Sequence, residues 1–229
     1  MIIKKHLIYG YIIIFTTFFV LSCLPPLPEE TKPKVLPEQI PIQKAWVDPA
    51  FSTTKIRIIA LLPFSNAVQF DENISWTLYN KLLEKFREKH PEYSIISPQD
   101  VKAKIDSAGL SDDFNVFLGD YLNTGVANKS FLMKLKRILK VDVVLFGEIT
   151  AAGSYKRKVW KEYFLRKGGY WDFVTENKLG IKLACYRGKD GRKIWLGQHT
   201  IIGNEKQVLT ELADTLCTIF AVHFGRRSY

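Results

Sequence analysis

Histidine and cysteine are scarce in this chain, with four and three among 229 residues. His6, His90, His199 and His223 are scattered, and no pair has the spacing of a zinc site. No Gly-x-Ser-x-Gly elbow and no Walker-type glycine loop occurs. Asp71 and Glu72, and Asp112 and Asp113, are sequence neighbours, which suits loop solvation or the start of a helix better than paired acid–base work. These absences nominate no residue for catalysis, for a metal or for a dissociable cofactor, and the chain reads as a non-enzyme. Three cysteines are too few for a disulfide scaffold. Cys185 and Cys217 fall on apolar faces, as buried free thiols or as a single bridge. No apolar run reaches the roughly 20 residues that a spanning helix needs. Proline thins out beyond residue 50, because seven of the ten prolines lie between Leu24 and Ala50.

The amino terminus holds the longest apolar stretch, Leu7 to Leu21, interrupted by Tyr9, Gly10, Tyr11, Thr16 and Thr17. Lys4 and Lys5 precede it, and Ser22 and Cys23 close it. A positive start, an apolar segment of about 7–15 residues and a small residue at the cut are the parts of a secretory signal. With cysteine at the end, the arrangement resembles a bacterial lipoprotein signal over residues 1–22. That resemblance implies that Cys23 becomes the first mature residue and carries lipid, as the one covalent group expected here. An uncleaved amino-terminal anchor and a plain cleaved signal are the alternatives. Leu24, rather than aspartate, follows the cysteine. By resemblance to sorted lipoproteins this implies the outer membrane, with the folded part facing the periplasm.

Residues 23–51 then read as a tether. Each proline removes a backbone donor, so so dense a run resists helix and central strand, and it extends about 3.1 Å per residue where polyproline II forms. The 178 residues from 52 to 229 suffice for one domain with a real core. Lysine and arginine number 33 against 23 acidic residues, a net charge of +10. In an exported chain that excess points away from nucleic acid and towards anionic lipid, cell-wall polymer or an acidic protein face.

From residue 52 the pattern alternates between strands and helices. Lys55 to Phe64 is a short apolar run that suits a buried strand. Ile74, Leu78, Leu82 and Phe86 recur every fourth residue and predict a helix from about Asn73 to Lys89. Tyr93 to Ile96 reads as a second strand. Ser97, Pro98 and Asp100 open a further helix as cap, first-turn proline and dipole-complementing acid. Ser111 to Val126 looks less regular. Asn128 caps the next helix, which delivers a strand over Val141 to Ile149. Leu179 to Tyr186 and Lys193 to Ile202 are two more strands about a turn at 187–192. Asn204 to Gln207 resembles a capping box before a final helix that carries Val208 to Phe224. The fold expected is α/β, a single mixed sheet flanked by helices.

Three runs carry a resemblance. They are Ala60-Leu61-Leu62-Pro63-Phe64-Ser65-Asn66, the stretch Leu139 to Glu148 ending in Gly147-Glu148, and Lys189-Asp190-Gly191-Arg192-Lys193-Ile194-Trp195. In this order they resemble a lipoprotein superfamily. It contains the TolB amino-terminal domain, the curli secretion channel and the outer-membrane lipoprotein activators of penicillin-binding proteins. The threonine of that family's late hairpin is absent here. The resemblance spans roughly Lys55 to Phe224. It implies a TolB amino-terminal-like fold and a protein partner in the envelope, such as a penicillin-binding protein, and it carries over no catalytic residue.

The most individual segment is Ala151 to Val174, read as a hairpin arm. Tyr155, Trp160, Tyr163, Phe164, Tyr170, Trp171 and Phe173 stand among Lys156, Arg157, Lys158, Lys161, Arg166 and Lys167. Binding hot spots favour aromatics with arginine. Tyr155, Arg157, Trp160, Tyr163, Phe164, Arg166, Tyr170 and Trp171 are therefore the candidate partner-binding residues. The alternative is a long hairpin whose rings pack on its own domain. A membrane-crossing hairpin of a channel needs one largely apolar face. Here one alternating set holds Arg157 and Lys161 and the other holds Lys156 and Lys158. Each lipid-facing cation there costs about 2–4 kcal/mol, so a non-channel role is expected, with the oligomeric state left open.

Overall fold

A computed structural model of the chain describes residues 36–66, 72–163 and 167–226. The signal segment 1–22, Cys23 and the first part of the tether lie outside the described residues, as do Phe164 and Arg166.

Seven strands form one mixed sheet. In chain order they are β1 (Lys44–Val47), β2 (Ile58–Leu61), β3 (Ser65–Asn66), β4 (Ser94–Ile96), β5 (Val143–Glu162), β6 (Gly169–Arg187) and β7 (Lys193–Asn204). Their spatial order is β1-β7-β6-β5-β2-β4, with β3 pairing β5 beyond the end of β2. The β4-β2-β5 part is parallel, and β5-β6-β7-β1 is antiparallel. Helices α1 (Ala50–Thr53), α2 (Glu72–Lys89), α3 (Pro98–Ser107), α4 (Ser111–Thr124), α5 (Lys129–Leu139) and α6 (Leu209–His223) complete the unit.

The period of two along the strands builds two cores. Ile59, Leu61, Val143 and Leu145 face α2 and α6, against Leu78, Leu82, Phe86, Leu216 and Phe220. Ala60, Leu62, Val144 and Phe146 face the other way, onto α3, α4 and α5. The crossover from β2 to β4 moves one way across the sheet, and the crossover from β4 to β5 moves back. Crossovers of one hand that run in opposite directions put their helices on opposite faces, which is why α2 lies on one side and α3–α5 on the other. This is the α/β architecture that the alternation predicts.

The expected stripe on α2 is buried at all four positions. Ser97 accepts from the Asp100 amide and Asn128 from the Phe131 amide, so both caps form. Trp195 is fully buried. A side chain at Gly147 would collide with the Phe64 ring, so that glycine lets the ring lie against β5. Cys185 and Cys217 are free and buried in the same core.

Four expectations need correction. Ser111 to Val126 is not irregular, because α4 buries Phe114, Phe117 and Tyr121 at helical spacing and ends on Gly125 at φ +69°. The tether does not continue to residue 51. Ile42 is 4 % exposed, β1 pairs with β7 from Lys44↔Gln198 to Val47↔Trp195, and Gln43 exchanges hydrogen bonds with the Thr200 backbone. Residues 36–47 are thus a strap on the domain: Glu38 and Ile40 meet Lys89 and His223 of α2 and α6, and β1 runs along the sheet edge, where Pro41 and Pro49 flank the strand and cost it no ladder bond. The box at Asn204 and Gln207 does form, each side chain accepting from the other's amide, but it closes a turn and the helix starts at Leu209. Finally, the strands expected over 141–149 and 179–186 are far longer, reaching Glu162 and starting at Gly169.

Candidate partner-binding arm

The extra length of β5 and β6 makes the arm. The supporting strands stop early: β3 reaches β5 only at Ile149, and β7 leaves β6 at Glu176. Beyond the Tyr155↔Glu176 pair the two strands run alone to Glu162↔Gly169, a ribbon of about 25 Å at the usual rise. The Ile149/Ala151 register shift lies at its root, where a bulge bends a strand and increases its twist. The root is tied down through Asn177, which is buried. Its amide donates to the Gln207 carbonyl at 2.8 Å, and its oxygen accepts from the Ser154 hydroxyl.

Residues directly opposite each other share a face, so the register sorts the candidates. On one face stand Tyr155, Arg157 and Lys161, opposite Glu176, Val174 and Tyr170, with Asp172 between them. Its charges are matched internally. Arg157 pairs with Glu176 at 2.7 Å and Lys161 with Asp172 at 2.6 Å. The Lys161 hydrogen bond, helped by the Phe173 amide, holds the Asp172 carboxyl below its ordinary range. Tyr163 and Tyr170 meet at the tip with ring centres 5.6 Å apart.

The other face is different. Trp160 lies directly opposite Trp171, edge to face at 5.3 Å. A side chain at Gly169 would strike the Trp160 ring, so this glycine leaves room for the indole. Lys158 sits over the Trp171 ring at 5.0 Å, and Phe173 stands opposite Lys158. Trp160, Trp171 and Phe173 are 49 %, 58 % and 64 % exposed. Among the described residues no carboxylate pairs with Lys156 or Lys158. Glu162, opposite Gly169, is the carboxylate on this face and pairs with neither lysine, so the face is apolar with a small net positive charge, and its rings do not pack on the domain.

The structure thus brings Trp160 and Trp171 together and places Tyr155, Arg157, Tyr163 and Tyr170 on the opposite side. Lys158 and Phe173 complete the indole face and were not among the candidate residues; only the cross-strand register reveals them. Among the described residues no three His, Cys, Asp or Glu side chains gather as a metal-binding group. No helix among them is long and apolar enough to cross a membrane.

No protein-family model matches the chain, and no curated protein does. Among solved structures it is similar to the PelC dodecamer from Paraburkholderia phytofirmans. The identity is 12 % and the TM-score 0.47, over 80 % of this chain and 97 % of that one. It is also similar to lipoprotein GNA1162 from Neisseria meningitidis, at 16 % identity and a TM-score of 0.44, over 66 % and 84 % of the two chains. The LpoB C-terminal domain from Salmonella enterica matches at 13 % identity and a TM-score of 0.36, over 67 % of this chain and 93 % of that domain. All three likenesses fall below a TM-score of 0.5, and none bears on what this chain binds.

Proposed function

We propose that this protein is an exported envelope lipoprotein, anchored through lipid on Cys23, that acts as a non-catalytic binding or regulatory module. Its partner is a protein of an envelope assembly, and a cell-wall synthase of the penicillin-binding class is the first candidate. One observation carries the reading: the arm projects beyond the sheet and holds Trp160, Trp171, Phe173 and Lys158 open on one face. Exposed aromatic rings beside unmatched cations suit a partner surface that is apolar at its centre and acidic at its edge. The order of Lys4, Lys5, the apolar segment, Ser22 and Cys23 supports export and lipidation. Leu24 supports the outer membrane, with the domain facing the periplasm. Cations on both faces of the ribbon weigh against a membrane-crossing barrel.

The test is affinity capture of the tagged full-length protein from crosslinked cells, with mass spectrometry, beside a Trp160→Ala/Trp171→Ala variant. Recovery of a cell-wall synthase that the double variant fails to hold supports the proposal. Recovery of the protein's own copies as a ring, or of secretion components, replaces it with a channel or scaffold role.

A further inference from the structure

A second feature stands apart from the arm. Where β2 ends, the chain leaves for α2 on one face, while α3, following the neighbouring β4, lies on the other. In open α/β sheets a crevice opens at such a switch point, outside the carboxyl ends of the parallel strands, and ligands bind there. This chain has a cavity of about 720 Å³ at that place, between α2, α3 and α4. Ligand sites run from about 300 to 1,000 Å³.

The lining is mixed in a particular way. Trp76, on α2, is 52 % exposed and meets Tyr79 edge to face at 5.7 Å. Phe64, just beyond the end of β2, also lines the opening, and the absence of a side chain at Gly147 leaves room for its ring against β5. The Tyr79 hydroxyl donates to the Gln99 side-chain oxygen, joining α2 to α3 across the cavity. Lys102 and Asp106 are the two charged lining residues, so the charges cancel. The Asp106 carboxylate already accepts from the Ser111 hydroxyl at 2.6 Å. Asn115 and Gln99 bring amides to the rim.

We propose that this crevice binds a short neutral oligosaccharide. A pyranose ring presents a flat face of C–H bonds and a rim of hydroxyls. The partly positive C–H face suits the negative π-face of an indole or phenyl ring, and side-chain amides can donate to and accept from the hydroxyl rim. Charge discriminates against the alternatives. An anionic polymer finds no net positive charge in this lining, although the chain as a whole carries +10. The arm plays no part in this site, so the two can fail separately.

The test uses the full-length protein in a detergent without a sugar headgroup. Chitotetraose, cellotetraose and maltotetraose are titrated by calorimetry, with saturation-transfer NMR reporting which sugar protons touch the protein. At least one should bind saturably. Trp76→Ala should weaken that binding about tenfold or more, Asn115→Ala should weaken it less, and Trp160→Ala should leave it unchanged. Both crevice positions are exposed, and an unchanged thermal transition verifies that the variants fold. Gly147→Ala, which displaces the Phe64 ring, should also weaken it. The inference fails if none of the three sugars binds, or if binding survives Trp76→Ala and Asn115→Ala together. It also fails if an acidic oligosaccharide or a proline-rich peptide occupies the Trp76 site more tightly than every neutral sugar.

Discussion

Replacing Ile42 by alanine tests whether the strap belongs to the domain. Ile42 is 4 % exposed and lies in the same core as Trp195, Phe220 and Phe224. Truncating a buried isoleucine to alanine costs about 2–5 kcal/mol, and the cost depends on how far the site can collapse. From Gln43 on, the strap sits at the sheet edge, held by Gln43 to Thr200 and His199 and by β1 to β7. It can settle inwards, so the lower half of that range, about 2–3 kcal/mol, is expected. For a domain of this size each kcal/mol moves the transition by about 2–4 °C, which gives a fall of about 4–12 °C. Far-UV circular dichroism on the full-length protein in detergent reads it. Leu36→Ala is the control, because Leu36 is 51 % exposed and should cost less than about 0.5 kcal/mol. Equal transitions for the two variants would mean that residues 36–47 do not pack on the domain, and the boundary would return to residue 51.

Two other outcomes follow from buried groups. Burial pushes both the Cys185 and the Cys217 thiol well above the ordinary range; neither should react with a maleimide in the native protein, and both should label after denaturation without reductant. The strap is also sensitive to acid. Burial, reinforced by nearby His223, lowers the pKa of His199, whose Nδ1 accepts from the Gln43 amide; burial likewise lowers that of His223, although its hydrogen bond to the Ile40 carbonyl works the other way. Below the free value of 6.5 the unfolded chain takes up protons that the folded chain resists, so stability is full above that value and declines as pH falls through it. The transition temperature should drop between pH 7 and 5.5, and a His199→Asn/His223→Gln variant should flatten that drop. An equal slope in the variant would place the acid sensitivity elsewhere.

Much of the fold was legible because local and long-range signals agreed there. The stripe of Ile74, Leu78, Leu82 and Phe86 and the caps at Ser97 and Asn128 act through neighbouring residues and appear in the structure as read. Helix α4 was hidden by Gly119, Asn115 and Asn123, which are weak helix formers, although Phe114, Phe117 and Tyr121 already had helical spacing. The strap was hidden by its prolines, since an edge strand tolerates flanking prolines that a central one would not. For the arm, composition marked the segment but could not order its faces. The Trp160↔Trp171 pairing is a cross-strand fact, set by register rather than by any run of residues. The crevice draws its lining from three helices and the end of a strand, so no contiguous motif announces it.

On the function proposed above, one face of the arm meets a protein partner. The most direct measurement places a photo-crosslinking amino acid in living cells at Lys158 or Phe173 on the indole face, and at Arg157 or Asp172 on the ion-paired face. These positions lie in the same ribbon and differ in the face they present. Crosslinks to one envelope protein from Lys158 and Phe173, with none from Arg157 and Asp172, are the predicted result. Equal crosslinking from both faces, or none from either, would contradict the account.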